Sequence, residues 1–162
     1  MFAFKTILHP TDFSAPSEYA FRLAASLARD HGAHLVILHV VPPPLGLGPE
    51  MAAPPIPPGV YQEQFWEEFR RLTASDPRLR EVFLQTEVVE GEPSREILRV
   101  AREHGCDLIV MGTHGRTGLA RLLMGSVAEA VLRRAPCPVL TVKGTPPVPA
   151  GAAVAEEGAV TA

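Results

Sequence analysis

The hydrophobic pattern of this chain switches back and forth between two periods. Dense apolar runs fall at Lys5–His9, His34–Val41, Glu81–Val89, Asp107–Met111 and Pro138–Lys143. Short runs of this kind, bounded by turn residues, read as strands one to five, with Pro10 ending the first. Between them, apolar residues recur every third or fourth position. Pro16–His31 carries Ala20, Leu23, Ala24 and Leu27 and is closed by Gly32. Tyr61–Ala74 carries Phe65, Trp66, Phe69 and Leu72 as its stripe. Pro93–His104 opens on a proline, carries Ile97, Val100 and Ala101, and is closed by Gly105. Ser126–Arg134 stops before Pro136. These four read as amphipathic helices.

Strands and helices therefore alternate. Strongly apolar strands joined by amphipathic helices predict a parallel sheet covered on both faces. Right-handed crossovers make it an α/β, doubly wound, Rossmann-like fold of five strands, with order 3-2-1-4-5 expected. One domain over residues 1–143 accounts for all of these elements. Pro42–Gly59 holds eight prolines and three glycines and reads as an inserted loop without a core pattern. Residues 144–162, rich in Ala, Gly, Pro and Val, read as a disordered tail.

Composition narrows the function. The net charge of −3 provides no basic field for nucleic acid. There is no run of eighteen apolar residues, so no membrane span is expected, and the N-terminus lacks a signal-peptide pattern. A cytoplasmic location is the expectation. The two cysteines, Cys106 and Cys137, are too few for a disulfide framework. Each precedes a strand, and two buried free thiols is the reading adopted, with a bridge as the minor alternative.

In a doubly wound sheet, ligands bind beyond the carboxyl ends of the strands. Three segments leave a strand there: Pro10-Thr11-Asp12, Val40-Val41, and Gly112-Thr113-His114-Gly115. Nine residues after the last of these come Gly125-Ser126 and a helix. Chance would produce this glycine spacing somewhere in such a chain about once in a hundred. Glycines let the backbone approach a ligand, and a helix N-terminus offers N–H groups and partial positive charge to phosphate. Ser126-Val127-Ala128-Glu129 also fits a capping box, a purely structural role. Asp12 can reach ribose hydroxyls or a divalent ion, or it can cap the first helix, as can Ser14. Arg116 and Arg121 can neutralise phosphate or simply be solvated, and His114 lies within the loop. His39, inside an apolar strand, reads as core. No Gly-Lys-Ser/Thr follows the glycines, and there is no dinucleotide fingerprint, nucleophile elbow or metal-ligand spacing.

These segments, with Ile7–Ser14, Leu38-His39-Val40, Asp107–Arg116, Gly125–Glu129 and Pro136–Leu140, closely resemble the universal stress protein family over about residues 4–143. The intact glycine spacing resembles the family's ATP-binding subgroup. The resemblance implies that Pro10, Thr11 and Asp12 line adenosine and ribose, and that Val40 meets adenine through its backbone. Met111 and Gly112 would pack under the nucleotide, while Gly115, Gly125, Ser126 and Val127 bind phosphates, with His114 and Arg116 beside them. ATP would come with Mg²⁺ or Mn²⁺. The family pairs as homodimers through the last strand, here Val139–Val142. The Pro-rich loop and short second helix depart from the family pattern on the adenine side. An ATP-holding stress and signalling protein with little or no turnover is the first expectation. The alternatives are a slow ATPase or autophosphorylating protein, with Thr113, Thr117 and Ser126 as acceptors, or a dimeric scaffold for protein clients that does not use nucleotide.

Overall fold

The computed structural model describes residues 3–43, 59–74, 77–113 and 124–143. The chain runs β1 (Thr6–Thr11), α1 (Ala15–His31), β2 (His34–Val41), α2 (Val60–Thr73), β3 (Phe83–Glu90), α3 (Pro93–Glu103), β4 (Leu108–Gly112), α4 (Ser126–Arg134) and β5 (Val139–Val142). All neighbouring strands are parallel, in the order β3-β2-β1-β4-β5. This is the doubly wound α/β sheet expected from the alternating periods.

Strand alternation divides the core in two. Ile7, Leu35, Ile37, Leu108 and Val110 pack with α1 and α2 on one face. Leu8, Val36, Leu38, Ile109 and Met111 pack with α3 and α4 on the other. With both faces buried, the inner strands read as continuous apolar runs rather than alternating ones. Gly32 closes α1 in the left-handed region, at φ 62° and ψ 31°, where a side chain would be strained. No helix among the described residues is long and apolar enough to cross a membrane.

Three local readings change. Strand one does not end at Pro10 but continues through it to Thr11. Strand three starts at Phe83, two residues late, because Pro77–Glu81 forms a 3₁₀ turn first. Trp66 does not belong to the buried stripe of α2: it is 45% exposed, and only its edge meets Phe65 and Phe69. Phe65 and Phe69 are the buried residues that seat that helix in the core, with Leu72 half-buried beside them. Both cysteines are free, Cys106 buried and Cys137 half-buried. Burial pushes the Cys106 thiol up to about 12, which leaves it protonated and unreactive at neutral pH.

Candidate functional site

The site arises where the two central strands part. β1 and β4 are paired only at Ile7–Leu108 and Leu8–Ile109. Beyond that point β1 stays with β2, as far as Thr11–His39, and β4 stays with β5, as far as Gly112–Val142. Pro10 explains the parting. The Thr6 carbonyl accepts from the Asp107 N–H, so residues of its parity face β4. Pro10, four residues on, faces the same way and has no N–H to offer. The Val110 carbonyl is satisfied instead by His9, whose Nδ1 lies 2.8 Å away and must donate. The imidazole therefore stands in for the missing ladder bond.

That role has a cost. His9 is completely buried, and its Nε2 has no hydrogen-bond partner among the described residues. Burial lowers its pKa to about 4, only partly offset by the bond to Val110 and the charge of Asp12. The ring is neutral at pH 7, with its proton on Nδ1.

The turn after β1 is tightly specified. Thr11 Oγ1 accepts from the Phe13 N–H at 3.1 Å and from the Ser17 hydroxyl at 3.0 Å. Asp12 Oδ1 accepts from the N–H and hydroxyl of Ser14 at 3.0 and 2.6 Å. Phe13 is held at φ 59°, an uncommon conformation for a bulky residue. Its ring packs on His39 and Phe65, which helps to over-determine the strained turn. Ser14 occupies the cap position of α1 but makes no side-chain cap bond.

On the β4 side, the Gly125 N–H donates to the Thr113 carbonyl at 2.7 Å, which clips together the two ends of the glycine loop. Gly125 itself is the N-cap of α4, and Ser126 is the first residue inside the helix. The capping box read in the sequence is therefore not formed, because its cap position holds a residue without a side chain. By contrast, the N-terminus of α3 is closed by the Glu92 carboxylate, which accepts from the N–H groups of Ser94 and Arg95. The α4 terminus has no side-chain cap and keeps its partial positive charge.

Between these segments lies a cavity of about 540 Å³, within the usual range for small-molecule sites. From β1 it is lined by Pro10, Thr11 and Asp12; from β2 by Val40; from β4 by Met111 and Gly112; and from α4 by Gly125, Ser126 and Val127. The fold thus brings together nine of the positions that the resemblance assigns to the nucleotide, with Thr113, one of the acceptor candidates, beside them. His114, Gly115 and Arg116, with Thr117 and Arg121, lie outside the described residues. The wall also includes residues the sequence did not single out. Ser17 comes from α1, Tyr61 and Gln64 from α2, and Pro93 and Ile97 from α3. His39, read as core, also lines it, and its Nδ1 donates to the Thr11 carbonyl at 2.9 Å. Its position at the carboxyl end of a strand was the one signal available for it; α2 carried none.

Gly112 serves a contact rather than a turn. A Cβ there would lie 3.2 Å from the Pro16 carbonyl carbon and 3.2 Å from its Cβ. The floor of the cavity depends on this close approach of β4 to α1. Gly112→Ala is expected to cost about 1–2 kcal/mol by overpacking, read from urea midpoints. An unchanged midpoint would mean that α1 moves aside freely.

The family model described as the universal stress protein family matches residues 3–143. A universal stress protein of Methanocaldococcus jannaschii is 39% identical over 86% of this chain and 82% of its own. Among solved structures, the universal stress protein UspA from Lactobacillus plantarum superposes with a TM-score of 0.68 at 27% identity, covering 88% of this chain and 99% of its own. A universal stress protein solved in complex with cAMP gives a TM-score of 0.64 at 26% identity, covering 88% and 98%. With the family model spanning most of its length and these relatives sharing its fold, the chain belongs to the universal stress protein family.

Proposed function

We propose that this protein holds and senses an adenine nucleotide, ATP by preference, with little or no turnover. The observation that carries the reading is the uncapped N-terminus of α4 opening into a cavity of nucleotide size. In this reading Asp12, which lines the cavity beyond β1 between β4 and β2, meets the ribose hydroxyls. The relative in complex with cAMP supports adenine nucleotide as the ligand class. In this reading Gly125, Ser126 and Val127 hold phosphates through N–H groups, joined by Gly115 and flanked by His114 and Arg116. Among the described residues no group of three acids, histidines or cysteines is set to hold a metal alone. A Mg²⁺ or Mn²⁺ ion would therefore be held chiefly by the phosphates, with Asp12 as the nearest carboxylate on the wall. Little turnover is the reading because neither lysine of the chain, Lys5 or Lys143, is among the residues that line the cavity, so no lysine takes the part it has in P-loop proteins. The open edge of β5, with Leu140 exposed on it, supports a homodimer through Val139–Val142.

Calorimetric titration with Mg²⁺-ATP tests this, with phosphate release followed in parallel. Wild type is expected to bind without appreciable release. Gly125→Val, which sets a branched side chain at the helix entrance, is expected to weaken binding more than about tenfold. Rapid phosphate release would instead favour an ATPase, and an absence of binding by wild type would overturn the reading.

A further inference from the structure

The strand order constrains which end of the cavity takes the base. In the nucleotide reading phosphates lie at the α4 terminus, beyond β4, and Asp12 lies beyond the adjacent β1. The next position along is beyond β2, roughly 10 Å from β4 at the usual strand spacing. There the wall is Val40, Val41 and Pro42 from β2, faced by Tyr61 and Gln64 from α2. Tyr61, Gln64 and Phe65 share one face of α2 at helical spacing. Phe65 is 1% exposed and anchors that face, so the half-buried Tyr61 and the exposed Gln64 are carried on a packed helix to the rim of the cavity.

Resting on the nucleotide reading above, we propose that Gln64, with Tyr61 beside it, selects adenine over a 6-oxopurine. A carboxamide offers a donor and an acceptor side by side. Adenine presents their complement, the N6 amino group next to a ring nitrogen. Guanine and hypoxanthine carry an oxygen at that position, so on the N7 edge two acceptors face the amide and one of its groups is left opposed. Tyr61 contributes a ring face, which any base can stack on and which therefore adds affinity without choice. Backbone groups of Val40 can hold a base in place. Gln64 adds a side chain whose removal leaves the backbone untouched.

The test is a set of titrations with Mg²⁺-ATP and Mg²⁺-ITP, the latter replacing the N6 amino group by oxygen. Wild type is expected to prefer ATP. Gln64→Ala is expected to shrink that preference about tenfold, mostly through weaker ATP binding. Tyr61→Ala is expected to weaken both ligands alike, by about fivefold or more, and keep the ratio. Gln64 is exposed, so its variant is expected to melt with the wild type. An ATP-to-ITP ratio unchanged in Gln64→Ala, in a wild type that binds ATP and loses it on Gly125→Val, overturns base selection alone. A wild type that binds neither nucleotide overturns the nucleotide reading itself.

Discussion

Replacing Phe65 by alanine is expected to cost about 3–5 kcal/mol, the range for truncating a fully buried aromatic ring. Phe65 is 1% exposed and sits at the centre of an aromatic cluster. It stacks on Phe69 with ring centroids 5.5 Å apart and 10° between planes, and meets Phe13 at 5.7 Å and His39 at 6.0 Å. Two of these partners belong to the site, since Phe13 holds the left-handed turn after β1 and His39 lines the cavity. The damage should therefore be local as well as large. Amide exchange should quicken first in α2, while β1 and β2, buried on both faces, stay protected. Affinity for nucleotide should fall too, because α2 carries Tyr61 and Gln64. Urea unfolding and exchange measured together check both claims. A loss below about 1 kcal/mol would mean that α2 does not depend on this ring.

Acidification is expected to destabilise the protein well before its carboxylates titrate. In the unfolded chain His9 has the ordinary histidine value of 6.5; folded, burial lowers it to about 4. Above pH 6.5 both states are neutral at this ring, and its contribution is complete. As pH falls below 6.5 the unfolded chain takes up a proton that the folded ring refuses, so stability drops until about pH 4. The loss by then is about 3 kcal/mol. Asp107, whose carboxylate accepts from the N–H groups of Lys5 and Thr6, is held below the usual range, so its contribution is lost only at lower pH. His9→Gln keeps a donor for the Val110 carbonyl and does not titrate. Its urea midpoint should change much less between pH 7 and 4.5 than that of wild type. Equal slopes in the two proteins would remove His9 as the cause.

The parts of this molecule that were legible in the sequence are those encoded by periodicity. The strand runs and helical stripes of residues 5–41 and 93–142 gave the element order, and the alternation implied a sheet buried on both faces. The turns after β1, β2 and β4 could be named as converging because doubly wound sheets bind at their carboxyl ends. What failed was local geometry. Pro10 reads as a terminator in the sequence, since proline cannot complete a central ladder. A histidine one residue earlier supplied the donor from across the strand, and that exchange requires His9 and Val110 to be neighbours in space. Ser126 reads as a cap in the sequence because the four-residue pattern fits. The backbone instead enters the helix one residue earlier, at Gly125.

Fold class and the loops that meet were readable from the chain, because hydrophobic spacing and glycine and proline at fixed offsets are properties of short segments. The family was readable only as a resemblance of whole motifs, which the family model over residues 3–143 bears out. The assembled fold was needed to show that β1 and β4 part beyond Leu8, that the α4 terminus has no side-chain cap, and that α2 brings Tyr61 and Gln64 to the far wall. The first and the last depend on residues well apart in the chain, such as His9 with Val110, or Val40 with Tyr61 and Gln64 on one cavity wall. No local pattern encodes them, because each exists only once the sheet has assembled.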